Sequence, residues 1–323
     1  MRYEKKVLAL SSALAFLLVV WALGLVFSPE RVAARSESAR LIAGKAADVA
    51  SISLQGGSGS TGNAVELART GSIWSLVDGT ARLPVQSQRV SSFIDDLGSI
   101  SRLRVVARSK DSWAGFQLDE AQAKRAVLKD ATGKVLADLY VGGPGPTGSE
   151  VYLRRAGSDL SYSAESGIAS YMGYGRTTWL DLRVLGSLKE SEVQSFSVKA
   201  SIALDGKGKA PTVLDYSLTR DAKGWKSGAA QIDPDSASSL LRSIVGLQGE
   251  DYVAAPPPEA FARIDARMAL DLGSGQSKVI EVGASSGDNR FYARLSGGGL
   301  AFTLSSYSLR GALKSLADLA PKK

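Results

Sequence analysis

The sequence predicts an α+β fold: an N-terminal transmembrane helix followed by two tandem, strand-rich repeats, each a mostly antiparallel sheet with one amphipathic helix. Three observations predict it. An uncharged apolar run stands near the N-terminus, alternating strand-like segments fill most of the remainder, and their order recurs about 140 residues later. The chain has 323 residues, 44% hydrophobic and 22% charged, which is ordinary globular composition and enough length for two domains. It is far from the polar, highly charged profile of a disordered chain.

The first element is Val7 to Phe27, 21 residues without a charge, preceded by Arg2, Lys5 and Lys6 against the single acid Glu4. At 1.5 Å per residue such a helix matches a hydrocarbon core of about 30 Å. The basic residues before it hold the N-terminus in the cytoplasm and place the rest of the chain outside. Trp21 and Phe27 fall towards the outer end, where aromatic rings suit the interface. The alternative is a cleaved signal peptide, for which Val32-Ala33-Ala34 offers small residues. A signal h-region is about 7–15 residues, shorter than this run, which favours the uncleaved anchor. Residues 1–28 are therefore read as cytoplasmic tip and anchor, and 29–47, polar and rich in Ala, Arg and Ser, as a stalk.

The remainder divides into modules at 48–188 and 189–323. Each opens with alternating strands: Val49–Leu54, Ala64–Arg69 and Ile73–Val77 in one, Phe196–Leu204, Val213–Arg220 and Trp225-Lys226 in the other. An amphipathic helix follows. Val90, Phe93, Ile94, Leu97 and Ile100 recur at helical spacing, and Ala237, Leu240, Leu241, Ile244 and Leu247 repeat it at an offset of 147. Asp233-Pro234 supplies an N-cap and a first-turn proline. A strand comes next (Arg104–Ala107; Tyr252–Ala254), then a meander, which in the first module is Ala126–Lys129, Val135–Val141, Glu150–Arg155 and Leu160–Ser163. Val151-Tyr152-Leu153-Arg154 and Phe291-Tyr292-Ala293-Arg294 align at an offset of 140, and Leu139-Tyr140-Val141-Gly142 parallels Ile280-Glu281-Val282-Gly283. Gly142-Gly143-Pro144 and Gly283–Gly287 read as turns between strands. Strands interrupted by one helix, without βαβ alternation, argue for antiparallel pairing.

Composition also excludes chemistry. The chain has no cysteine and no histidine. Disulfides, thiol catalysis, zinc-thiolate sites and Ser-His-Asp or Cys-His catalysis are therefore ruled out. Gly57-x-Gly59-x-x-Gly62 matches the dinucleotide fingerprint literally, but a strand rather than a helix follows it, so it reads as a hairpin loop. Gly283-Ala284-Ser285-Ser286-Gly287 has the nucleophile-elbow spacing without the histidine that pattern requires. No P-loop occurs. Asp95-Asp96 and Asp119-Glu120 are acidic pairs that read as solvated charge. Asp205, Asp221, Asp271 and Asp288 stand singly near turns, without EF-hand spacing. We expect no enzyme activity, cofactor or metal.

Candidate contact residues remain. Trp74 and Trp225 open corresponding strands and read as packing, whereas Trp113 and Phe116 lie in the loop-like stretch Ser109–Glu120 and are the candidate partner contacts. Net charge is +7. The basic residues are scattered, with no aromatic-basic stripe to suggest nucleic-acid binding.

Four short markers occur in fixed order: Trp74-Ser75-Leu76, Ala114-Gly115-Phe116-Gln117-Leu118, Val141-Gly142-Gly143 with Tyr152, and Trp179-Leu180-Asp181-Leu182-Arg183. With the anchor and the repeats, they make the chain resemble the bacterial family called domain of unknown function 4340, over about Val49 to Leu316. The resemblance implies a single-pass protein of the bacterial inner membrane. Its implied neighbours are an ABC-type permease, its ATPase and an auxiliary envelope protein like those of gliding-motility transporters, with no catalytic residues to carry over. The expected function is a membrane-anchored extracytoplasmic accessory or scaffold subunit acting by protein–protein interaction. The alternatives are a module binding envelope polymer or anionic lipid and, more remotely, a carboxylate-based hydrolase.

Overall fold

The computed structural model describes residues 14–21, 41–57, 64–100, 103–173, 175–205, 210–222, 224–228, 230–273, 275–287 and 289–321. Most of the 7–27 run, including Val7 and Phe27, lies outside the described residues, as do Arg2, Lys5 and Lys6. The chain divides into two compact units, 1–77 with 86–179, and 78–85 with 180–323.

The fold is α+β, with two nine-stranded sheets. In the first sheet the strands are β1 (Ser51–Gln55), β2 (Val65–Thr70), β3 (Ile73–Asp78), β4 (Ala81–Pro84), β5 (Arg104–Ala107), β6 (Lys124–Lys129), β7 (Val135–Pro144), β8 (Glu150–Arg155) and β9 (Ser161–Glu165). The second holds β10 (Ser195–Ile202), β11 (Thr212–Asp221), β12 (Gly224–Ser227), β13 (Ala230–Gln231), β14 (Asp251–Val253), β15 (Ala266–Asp271), β16 (Ser277–Gly287), β17 (Arg290–Leu295) and β18 (Ala301–Ser305). Spatial order is β4-β3-β2-β1-β6-β7-β8-β9-β5 in one and β13-β12-β11-β10-β15-β16-β17-β18-β14 in the other, the same order position for position. Pairing is antiparallel, as between β1 and β6 and between β10 and β15.

Alternation sets which face each strand buries. In β10, Phe196, Val198, Ala200 and Ile202 turn inward while Ser197, Lys199 and Ser201 face solvent. The helix Ser87–Ser99 buries Val90, Phe93, Ile94 and Leu97, and Pro234–Val245 buries Ala237, Leu240, Leu241 and Ile244. Asp233 caps the latter by accepting from the Ser236 N–H at 2.8 Å, with Pro234 in the first turn. Both helical stripes thus lie where their spacing puts them.

The correspondence extends to details that composition does not announce. A short 3-10 turn precedes each first strand, Ala46–Asp48 and Glu190–Glu192. In each, the N-cap backbone N–H donates to the third-position carboxylate: Lys45 to Asp48 at 3.0 Å and Lys189 to Glu192 at 2.7 Å. Arg69 stacks over Trp74 at 5.7 Å and Arg220 over Trp225 at 4.9 Å.

Three expectations need correction. Gly142-Gly143-Pro144 is not a turn but the end of β7, and Gly283–Gly287 likewise lies within β16. The chain stays extended there and absorbs its irregularity as register shifts, between Val141 and Pro144 and again between Val282 and Gly287. The helix count is also higher than one per module. Ile168–Met172 follows β9 and Ser306–Ala312 follows β18, each too short for periodicity to announce it. Finally, Leu41 and Ile42, in the stretch read as stalk, are buried, and the Ala43 N–H donates to Leu136 O at 2.7 Å.

Candidate functional site

The loop carrying Trp113 and Phe116 lies over one face of the first sheet. Leu139, Val141, Val151, Leu153, Tyr162 and Ala164 are buried on the core side, so their alternates Tyr140, Tyr152, Arg154 and Ser163 face the other way. Two short 3-10 turns, Lys110–Ser112 and Ala114–Phe116, cover this second face. Ser109 starts the first by accepting from the Asp111 N–H. Gln117 ends the second with φ 56°, a left-handed conformation that turns the chain back so that the Leu118 N–H reaches Trp113 O at 2.8 Å.

The loop is seated by glycine. A Cβ on Gly142 would meet Phe116 O, Gln117 O and the Leu118 side chain, so only a bare strand lets the loop backbone descend this far. Phe116 then packs on Tyr152, ring centroids 4.6 Å apart. The arrangement repeats in the second sheet: a Cβ on Gly283 would meet Ala260 O of the 3-10 turn Pro258–Phe261.

Beneath the first loop lies a buried cation. Arg154, 3% exposed, sits between two rings, with its guanidinium carbon 3.9 Å from the Trp113 centroid and 3.5 Å from that of Tyr140. Its Nε donates to Leu118 O at 2.8 Å, while Nη2 is buried without a hydrogen-bond partner among the described residues. Neighbouring carboxylates are engaged elsewhere. Asp138 takes Arg125 through two bonds of 2.8 and 2.6 Å, Glu150 takes Arg104 at 3.2 Å, and Asp159 takes Lys110 at 3.6 Å. The Asp138 hydrogen bonds push the Arg125 guanidinium above its ordinary range. The Trp113 indole is half-buried and donates one long bond, 3.4 Å, to Asp159 O.

The family model for a domain of unknown function (DUF4340) matches residues 74–264, more than half of the chain. The chain belongs to the DUF4340 family. The matched span opens at Trp74 in β3, takes in the whole of this surface, and closes just before β15. No curated protein and no solved structure matches the chain.

Of the residues singled out in this DUF4340 chain, Trp113 and Phe116 share one loop on one sheet face. Trp21 stands in the helix 14–21, 65% exposed. Sequence reasoning passes over Arg154, Tyr140 and Ser161. Arg154 is visible as a repeat marker aligned with Arg294; what spacing does not carry is that one of these arginines is buried under a loop. Among the described residues no group of three or more acids is placed to hold a metal ion.

Proposed function

We propose that this DUF4340 chain is a membrane-tethered, extracytoplasmic accessory subunit that works by binding other proteins, in an ABC-type transport system of the bacterial inner membrane. In this reading two tandem copies of one α+β module stand outside the membrane behind an N-terminal helix, and neither copy is catalytic. The observation that carries it is the apolar segment. Leu14, Phe16, Leu17, Leu18, Val19, Val20 and Trp21 form a helix with every one of these side chains 48–68% exposed. A helix that is apolar all round is stable in hydrocarbon or against another apolar surface, not in water. Among the described residues no helix is long and apolar enough to cross a membrane. The uncharged run to which this helix belongs, 21 residues long, has the length a bilayer core requires. The arginine and lysines before it support an N-terminus in the cytoplasm.

A tether keeps the modules beside their partners and raises the effective concentration of each for the other. The family resemblance supports a permease and its ATPase as those partners. The reading is tested by affinity purification of the tagged full-length chain from gently solubilised native membranes, with mass spectrometry of what accompanies it. Reciprocal, stoichiometric recovery of an ABC permease and ATPase is expected. Recovery of the chain alone, with crosslinking also negative, overturns the transporter assignment and favours binding to envelope polymer or anionic lipid.

A further inference from the structure

The two sheets treat the same arginine differently. In the second, Arg294 on β17 lies opposite Glu281 on β16, donates to its carboxylate at 2.9 Å, and stacks under Phe261 at 4.3 Å. In the first, Arg154 on β8 lies opposite Tyr140 on β7, so a ring occupies the place of the carboxylate. Arg154 is nevertheless the more deeply buried of the two, since the Arg294 side chain is 38% exposed. A buried guanidinium with an unpaired N–H is costly unless an acceptor reaches it, and cation–π contacts use its faces rather than its edge.

A second unpartnered group stands beside it. Ser161 on β9 is fully buried, and its hydroxyl has no hydrogen-bond partner among the described residues. Leu153 pairs with Tyr162 and Tyr152 with Ser163, so continuing that register by one step puts Arg154 opposite Ser161 on the same face. Two buried polar groups without partners among the described residues, Arg154 Nη2 and the Ser161 hydroxyl, therefore belong to opposed residues on one sheet face.

From this we infer that Arg154 Nη2 and Ser161 Oγ form a receptor for one carboxylate, supplied from outside the chain and admitted when the loop Ser109–Gln117 lifts. The carboxylate pairs with Arg154 as Glu281 pairs with Arg294, but at Nη2, since the Tyr140 ring fills the cross-strand position and Nε is taken by Leu118 O. Trp113 is the roof, Tyr140 the floor, and the Lys110–Asp159 pair with the long Trp113–Asp159 bond is the clasp that opens. The site does not depend on the accessory-subunit reading and is tested on purified protein alone.

The test is a titration of the full-length protein in detergent with sodium acetate, sodium chloride holding ionic strength constant, read by thermal unfolding and indole fluorescence. Wild type is expected to gain about 3 °C or more once acetate exceeds its Kd tenfold, following the linkage relation for a ligand of the native state. Arg154→Gln loses the response. Tyr140→Glu, which installs the carboxylate of the second sheet, loses it too while unfolding at or above the acetate-free wild-type temperature. Should Arg154→Gln not fold, Tyr140→Glu carries the test. Absence of a saturable acetate response in wild type, or an undiminished response in Tyr140→Glu, overturns the proposal. A tetraglutamate peptide titrated in parallel separates the sources: binding at least tenfold tighter per carboxylate assigns the site to a polypeptide ligand, and equal binding assigns it to a free small carboxylate.

Discussion

Gly142→Ala tests whether the loop over the first sheet is held by close backbone approach. The new Cβ falls against Phe116 O, Gln117 O and the Leu118 side chain, inside van der Waals contact with backbone atoms that have no rotamer to change. Either β7 or the loop must move. Overpacking of this kind costs about 1–3 kcal/mol, and the reduced entropy of the unfolded chain returns about 0.4–1 kcal/mol of it. The strain lands on the loop, which is held by a few backbone bonds: Phe116 N–H to Trp113 O at 3.1 Å, Gln117 N–H to Ala114 O at 3.2 Å, and Leu118 N–H to Trp113 O at 2.8 Å. A local opening made easier by about 1–2 kcal/mol speeds exchange of those amides roughly 5- to 30-fold. Hydrogen exchange by mass spectrometry over peptides spanning 109–120 reads this directly. The matched control is Gly115→Ala in the same loop, where a Cβ meets nothing within 4 Å and exchange should stay level or slow slightly. Equal exchange in the two variants would refute the argument, because only the approach of the loop to β7 distinguishes them.

Other perturbations probe the scaffold and its charges. Phe93→Ala removes a fully buried ring set edge-on to Tyr171 at 5.5 Å and Trp179 at 5.7 Å, and should cost about 3–5 kcal/mol in chemical denaturation. Asp233→Ala deletes the cap on the Ser236 N–H and should cost about 1 kcal/mol, largely restored by Asp233→Ser. Asp181 accepts two side-chain bonds from Arg183, at 2.8 and 2.7 Å, which hold its carboxyl below the usual carboxylate range. Its folded pKa lies under its unfolded one, so the stabilisation is complete above about pH 4 and fades as pH falls through the folded value. Asp181→Asn should therefore lower the unfolding temperature at neutral pH and flatten its decline on the acid side; a parallel acid decline in both proteins would contradict the assignment.

Much of the scaffold is legible in the sequence because it rests on local periodicity. Val90, Phe93, Ile94 and Leu97 mark a helix by spacing alone, and Asp233-Pro234 marks where its counterpart begins. The short helices Ile168–Met172 and Ser306–Ala312 escape because five to seven residues give no full repeat of the pattern. Gly142-Gly143-Pro144 misleads for a different reason: glycine and proline punctuate turns, but here glycine serves an approach between backbones distant in sequence. The candidate site is half legible. Trp113 and Phe116 stand out as aromatic residues in a loop, whereas Arg154 does not, since burial of a cation depends on which loop covers which strand.

Where two sheets agree in detail, the position at which they differ carries the information. The capped turns before β1 and β10, the Arg69–Trp74 and Arg220–Trp225 stacks and the glycines beneath each loop are shared, so they belong to the scaffold. Tyr140 against Glu281 is not shared. If both were only ways of steadying an arginine, reciprocal exchange would change the two sheets by similar amounts. Burial argues that it will not. The Arg294 side chain is 38% exposed, so in Glu281→Tyr water can hydrate the guanidinium and the loss should stay within about 1 kcal/mol. Arg154 is 3% exposed, and in Tyr140→Glu a charge-assisted bond replaces a buried, unsatisfied donor, worth about 1.5–3 kcal/mol before the lost ring stacking is subtracted. Paired unfolding measurements on the two variants in acetate-free buffer should give opposite signs, a loss in the second sheet and a gain in the first. Losses in both would mean that Tyr140 already meets the needs of Arg154, and that the missing carboxylate is not missing at all.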